Sequence, residues 1–282
     1  MKYFHVDVFS SKAMKGNGLT VVFPDKQCRN DQLLSIAAEF RQFETVFVFG
    51  RNTDGSFPAR IFTVEEELNF AGHPIVGLGA VLHSLYFASK ESAEILIDLQ
   101  GRGITVASKH MNGGYNVTMN QGAPQFLGQV EQSRYGEIAR SLNLSERDLD
   151  AAYPIEVVST GLPYLLVPLK SGLDRAKISI CNFENFLGGF GAKFVYVFET
   201  QILECRTWDN FGAVEDAATG SAAGPLCAYL VEHGFAERNK AIEIHQGSFV
   251  QRPSVIQAWV SNRDEVFISG DVAFFASGEL SI

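Results

Sequence analysis

The sequence predicts an α+β fold made of two similar halves, and three observations predict it. Strand-type and helix-type segments follow one another in a comparable order in both halves. Moving the first half along by 148 residues brings Gly72 onto Gly220, Leu78 onto Leu226, Ala80 onto Ala228 and Leu82 onto Leu230. Moving it by 149 residues brings Val46-Phe47-Val48-Phe49 onto Val195-Tyr196-Val197-Phe198. The two offsets nearly agree, and they match a strand and the helix that follows it. Each half also carries a helix opened by glycine, Gly72-His73-Pro74 in one and Gly220-Ser221-Ala222 in the other. A duplicated fold is expected to hold its functional cleft between the copies, with both helix N-termini facing it.

In the first half, residues 3–9 and 19–23 read as strands from their apolar alternation. A helix begins near Asp31, taken as close to its N-cap, with Leu33, Leu34, Ile36, Ala37 and Phe40 as its apolar stripe. Strands are expected at 45–49 and 60–64, then a helix over about 73–87. Pro74 suits that helix start, where a missing N–H costs nothing. Strands follow at 95–99, 103–108 and 115–119. In the second half, a helix is expected over 133–142 and strands at 155–158 and 164–168. Residues 194–198 and 202–208 read as a strand pair. A helix over about 221–233 stops at Gly234, as a C′ glycine does. The last strands are expected at 242–245, 255–260, 265–269 and 273–275. Gln121-Gly122-Ala123-Pro124 is the best junction. The expected domains are 1–119, joined by a C-terminal strand from about 270–282, and 120–269.

Composition narrows the function. The chain has 282 residues, of which 46% are hydrophobic and 20% charged, as in an ordinary globular protein. A net charge of −9 argues against a nucleic-acid footprint, which needs clustered Lys and Arg. No apolar run approaches the ~18 residues of a membrane span, and Asp7 interrupts the N-terminal segment before it can act as a signal peptide. Cys28, Cys181, Cys205 and Cys227 show no C-x-x-C spacing. They read as free thiols of a reducing compartment, so a cytoplasmic protein is expected.

Several polar residues have both a plain and a functional reading. His73 either caps or packs its helix, or stands at an N-terminus whose free N–H groups attract an anion. No second histidine lies three or four residues away, so a metal helix is not expected. Residues 215–225 are rich in small side chains, and Asp216, Thr219 and Ser221 each suit an N-cap. The segment is neither a G-x-S-x-G elbow nor a phosphate loop. Glu44 is either a solvated junction residue or, in a closed cleft, a carboxyl raised by desolvation into the range of a general acid/base. Glu65-Glu66-Glu67 reads as a solvated face. Arg60 and Arg206 lie in equivalent strands and suit a structural or a substrate-facing role equally. Gly188-Gly189-Phe190-Gly191 has Phe194 where a dinucleotide fingerprint needs its third glycine, so no Rossmann cofactor is implied.

Together the segments Asp7-Val8-Phe9, Gly16-Asn17, Glu44-Thr45, Arg60-Ile61-Phe62-Thr63, residues 67–74, residues 214–225, His245-Gln246-Gly247 and Ile268-Ser269-Gly270 resemble the phenazine-biosynthesis isomerase family, the PhzF-like proteins. The resemblance covers nearly the whole chain. It implies a diaminopimelate-epimerase-like fold, in which two pseudo-symmetric domains each wrap a barrel-like sheet around a central helix. It also implies a homodimer that needs no metal or organic cofactor and acts on a small carboxylate-bearing substrate. By the same resemblance Glu44 is the catalytic glutamate, assisted by His73 and Asp216. Substrate contacts fall on Gly72 and Ser221, with Thr219 and Gly220 beside them. Epimerases of this fold use two cysteines, but neither Ala71-Gly72-His73 nor residues 216–220 contains one. The expectation is therefore a glutamate-driven proton-shift isomerase like that acting on dihydro-hydroxyanthranilate. The alternatives are an epimerase of an amino-acid-like acid, with Glu44 and Asp216 as opposed proton carriers, and a non-catalytic binding protein. The chain departs from the family pattern at Gly18, where proline is common, and at Phe43, where serine is common.

Overall fold

The computed structural model describes residues 1–24 and 28–282. The chain divides into two compact units, Met1–Asn120 with Ser269–Ile282, and Gln121–Ile268.

The first unit contains β1 (Lys2–Val8), β2 (Asn17–Phe23), α1 (Asn30–Phe40), β3 (Glu44–Val48), β4 (Phe57–Phe62), β5 (Glu67–Leu68) and α2 (Gly72–Tyr86). It continues through β6 (Ser92–Leu99), β7 (Arg102–Met111) and β8 (Gly114–Gly122). The second unit follows with β9 (Gln125–Gln129), α3 (Tyr135–Ser141), β10 (Glu156–Ser159), β11 (Pro163–Leu169), α4 (Phe183–Gly188), β12 (Phe194–Glu199) and β13 (Glu204–Arg206). It ends with α5 (Gly220–Glu232), β14 (Ile242–Gln246) and β15 (Ser254–Val260), after which β16 (Val266–Glu279) carries the chain back into the first unit.

In the first unit the strand order is β1-β2-β3-β4-β6-β7-β8-β16, and β16 also pairs with β1. The sheet thus closes on itself as an eight-stranded barrel, which leaves no free edge. Helix α2 is its core. Every residue from Gly72 to His83 is buried, as expected of a helix that is apolar all round. Glycine inside a helix costs about 1 kcal/mol relative to alanine, and Gly77 shows the reason for accepting that cost. A Cβ there would lie 2.5 Å from Leu19 and 2.8 Å from Val8, both on barrel strands. Outside the barrel, α1 lays Leu33, Ile36 and Ala37 against Val22, Phe47 and Phe62.

The second unit repeats this plan. Pairing runs antiparallel, parallel, antiparallel, parallel, antiparallel along β10-β11-β12-β13-β14-β15. Along β1-β2-β3-β4-β6-β7 the senses are the same. Helix α5 is buried from Ala222 to Leu230 and packs on β10, β11 and β15. A second core gathers Ile138, Leu142, Val157, Leu165, Val167, Phe183, Val195, Val197 and Trp208.

Several expected elements differ. The strand expected through Phe9 stops at Val8, because Phe9 turns to φ 65°. The segments expected at 265–269 and 273–275 form one strand, β16. Its Gly270 is no break: a Cβ there would come within 2.3 Å of the Phe9 ring. Asp31 is not the N-cap of α1. Arg29 is, and Asp31 sits in the first turn, where a carboxylate suits the helix dipole, and bonds Arg29 Nε at 3.0 Å. The strand expected at 202–208 shrinks to β13, and the helix expected from 133 opens as a 3₁₀ turn at Gln132–Arg134. Strand β8 runs on to Gly122, so the 121–124 junction is partly strand.

Candidate active site

In the first unit, Glu44 is the opening residue of β3 and pairs with Leu19 of β2. His73 is the second residue of α2. The fold brings them together: His73 Nε2 lies 3.4 Å from Glu44 Oε2, with side chains 5% and 14% exposed. That Nε2 is buried and meets no partner in hydrogen-bond geometry. The amide nitrogen of Asn17, itself buried, lies 3.4 Å from His73 Nδ1. Burial pushes the imidazole down to about 3, opposed in part by a backbone hydrogen bond to Gly18. Burial thus favours the neutral ring, and its Nε2 edge meets a carboxyl group. Neutral imidazole beside a carboxyl can share a hydrogen bond with it without creating a buried ion pair.

The α2 N-terminus has Ala71 at its N-cap, with no side chain capping it. Gly72 supplies its first N–H, which no intrahelical carbonyl can meet. The two departures from the family pattern stand beside this group. A Cβ on Gly18 would lie 2.3 Å from Gln42 Oε1, so the Gln42 amide fills the space that a proline ring would need. Phe43 is half-buried next to Glu44.

In the second unit the polar groups before α5 are closely connected. Thr219 occupies the N-cap, yet its hydroxyl does not cap the helix; it donates to Asp216 Oδ2. Gln246, at the end of β14, receives the Tyr196 hydroxyl at 2.9 Å and the Thr219 N–H at 3.0 Å on Oε1. Its Nε2 donates to the Asp216 carbonyl at 2.8 Å and to Thr219 Oγ1 at 3.0 Å. Ser221, the second residue of α5 after Gly220, shares a 2.8 Å hydrogen bond with the Tyr164 hydroxyl. The fold thus joins Asp216 to Thr219, and Ser221 to Tyr164.

The arginines are both anchored. Arg60 holds Glu67 through two hydrogen bonds of 2.7 and 2.5 Å. Arg206 holds Glu215 through two of 2.9 and 2.5 Å and donates to the Leu173 carbonyl at 2.7 Å. Each glutamate precedes its helix glycine by the same interval, so both pairs tie a strand to the segment entering a helix. These contacts give both arginines a structural role. Glu67 is likewise not a solvated charge.

No local pattern in the sequence marks Asn17, Tyr164, Tyr196 or Gln246 as site residues. Asn17 and Gln246 lie inside segments that carried the family resemblance, and that was the available signal. Cys205 and Cys227 are buried, and burial raises both thiols, Cys227 to about 12. Neither supplies a thiolate base. Among the described residues no three His, Cys, Asp or Glu side chains gather as a metal-ligand set, and no helix is long and apolar enough to cross a membrane.

Comparison with known proteins extends this picture. The profile of the phenazine biosynthesis-like proteins matches residues 6–278. Trans-2,3-dihydro-3-hydroxyanthranilate isomerase of Pseudomonas chlororaphis is 31% identical, over 99% of this chain and 98% of its own. A predicted epimerase from Pseudomonas aeruginosa, known as a solved structure, superposes with a TM-score of 0.94 at 38% identity, covering 100% of this chain and 99% of that one. A hydroxyproline epimerase from Agrobacterium vitis shares the fold alone, with a TM-score of 0.63 at 11% identity, over 99% of this chain and 90% of its own. The architecture is therefore diaminopimelate-epimerase-like.

Proposed function

We propose that this chain, which belongs to the phenazine biosynthesis-like family, is an isomerase that shifts a proton within a small, unsaturated, carboxylate-bearing ring. The Pseudomonas relative's substrate, trans-2,3-dihydro-3-hydroxyanthranilate, is the first compound to assay. The observation that carries this reading is the buried contact of His73 with Glu44. Glu44 takes a proton from an sp³ ring carbon, and the electron pair left behind spreads into the conjugated system. The Glu44 carboxylic acid then returns the same proton to another carbon of that system. Atoms and charge balance without a co-reactant. Neutral His73 orients the carboxyl and shares its proton in passing. One acid/base on one face is enough, which accords with the lack of cysteine at residues 71–73 and 216–220.

Asp216 provides a second, fixed charge. The Gly72 N–H that opens α2 suits a substrate carboxylate, since helix N-termini favour anions, and the Gly220 N–H and Ser221 hydroxyl that open α5 suit one by the same rule. Thr219 contributes by holding Asp216. The reading takes the chain to act in the cytoplasm as a homodimer without an organic cofactor or metal.

The test is turnover of trans-2,3-dihydro-3-hydroxyanthranilate by the wild-type protein and by Glu44→Gln, run in deuterated water. Loss of a positioned acid/base lowers rates by about 10²–10⁴-fold, and the substitution keeps the shape of the side chain. Partial retention of the substrate's own hydrogen in the product supports a single carrier. Full turnover by Glu44→Gln would sink the mechanism. Inversion at one carbon, with complete deuterium uptake, would replace it with an epimerase using two carriers.

A further inference from the structure

We propose that Gln246 sets the proton polarity of Asp216, acting through Thr219, so that Asp216 begins each cycle as a carboxylate. The proposal rests on Asp216 belonging to the site, and it assigns Gln246 and Thr219 as positioning residues.

A glutamine side chain offers two N–H donors and one oxygen with two lone pairs. Gln246 is fully buried and uses all four. Two of its partners are backbone groups whose roles cannot be exchanged. The Thr219 N–H only donates, so it must meet Oε1. The Asp216 carbonyl only accepts, so it must meet Nε2. These two contacts fix the amide in one orientation.

The remaining directions follow in sequence. The second Nε2 proton points to Thr219 Oγ1, which therefore accepts from Gln246. The single Thr219 hydroxyl proton is then left for Asp216 Oδ2. On the other side the Tyr196 hydroxyl donates to Oε1. The chain runs one way, from Gln246 to Thr219 to Asp216, and it ends on an oxygen made an acceptor. A hydrogen bond donated to a carboxylate favours its ionised form. Asp216 thus stands as a fixed negative charge and does not deliver a proton.

Titratable groups also surround this relay, among them Tyr164, which acts on Tyr196, and Glu204, which acts on Cys205. Tyr196 on β12 is held protonated by burial, with Cys205 and Asp216 as further causes. Cys205 on β13 is likewise raised by burial. The Arg206–Glu215 pair beside Asp216 in the chain neutralises itself.

The test is a carbon-13 NMR titration of the carboxyl groups of the intact protein, with Asp216 assigned by its disappearance in Asp216→Asn. In the wild type, Asp216 should titrate below the ordinary aspartate value of about 3.9. Thr219→Val keeps the shape and removes the donor, so it should raise that midpoint by about one pH unit. Thr219→Ser restores the hydroxyl and should stay close to the wild type. Gln246→Glu removes both N–H donors, releases the Thr219 proton from Asp216 and should also raise the midpoint. An Asp216 midpoint at or above about 3.9 in the wild type overturns the proposal without any variant having to fold. So does a Thr219→Val midpoint equal to the wild type's. The titration needs no substrate. A normal relay with no turnover would count against the isomerase reading alone, and turnover without the relay would count against this inference alone.

Discussion

The openings of α2 and α5 are built from similar backbone and opposite wiring. Both start on a glycine, both follow an Arg–Glu clamp, and both run buried through most of their length. At α2 the two members of the ionisable pair meet without a hydrogen bond to each other. His73 Nε2 faces Glu44 at 3.4 Å outside hydrogen-bond geometry, and Asn17 stands at the same distance from Nδ1. At α5 a fully satisfied glutamine fixes the donors and acceptors around Asp216. A saturated hydrogen-bond network resists a change of protonation. The difference suggests a division of labour, in which one helix start exchanges a proton and the other keeps a charge in place.

Experiments can break or sharpen that contrast. The largest effect is expected at Glu44: Glu44→Gln should lower kcat by about 10³-fold and leave the melting temperature nearly unchanged. Asp216→Asn should cost less, about 10²-fold in kcat, because it removes a fixed charge and not the carrier. A steady-state comparison in which Asp216→Asn proves the more damaging would reverse the assignment.

Stability should show the other side of the contrast. Tyr196→Phe deletes one donor to Gln246 and should lower the unfolding free energy in urea by about 1–2 kcal/mol. The smallest effect is a pH dependence at His73. The unfolded imidazole takes up a proton below about 6.5, while the folded one resists until about 3. The folded state is thus fully favoured above the ordinary histidine value and loses ground as pH falls through that window. The His73 share should be about 1 kcal/mol between pH 7 and pH 5.5. His73→Gln should flatten that part of the profile, and equal slopes in both proteins would refute the buried neutral ring.

Much of the fold could be read from the chain because its signals are local and repeated. The glycine helix starts and the apolar runs of β3 and β12 each sit within a few residues, and the 148-residue spacing repeats them. Features set by tertiary contact were harder to read. Strand β9 is exposed along its whole length and so carries no apolar pattern. Strand β5 is two residues long. Strand β16 read as two pieces because Gly270-Asp271 resembles a turn, although the glycine answers to the distant Phe9 ring. At the site, Glu44 and His73 were legible as residue types, but no spacing rule announces that they meet. Gln246 was harder still. A buried glutamine on a strand looks ordinary until its four partner atoms, on Tyr196, Asp216 and Thr219, are seen around it.

Strand β16 has a consequence for how the molecule is made. The barrel around α2 closes only when β16 lies between β8 and β1. On a ribosome, the first 120 residues emerge long before that strand exists. The nascent N-terminal part must therefore wait with β1 and β8 as open edges, while Gln121–Ile268 already holds all its strands. The later-synthesised unit is thus free to fold first, against the usual N-to-C order of domain folding. The open edges of the waiting unit are where a chaperone would be needed.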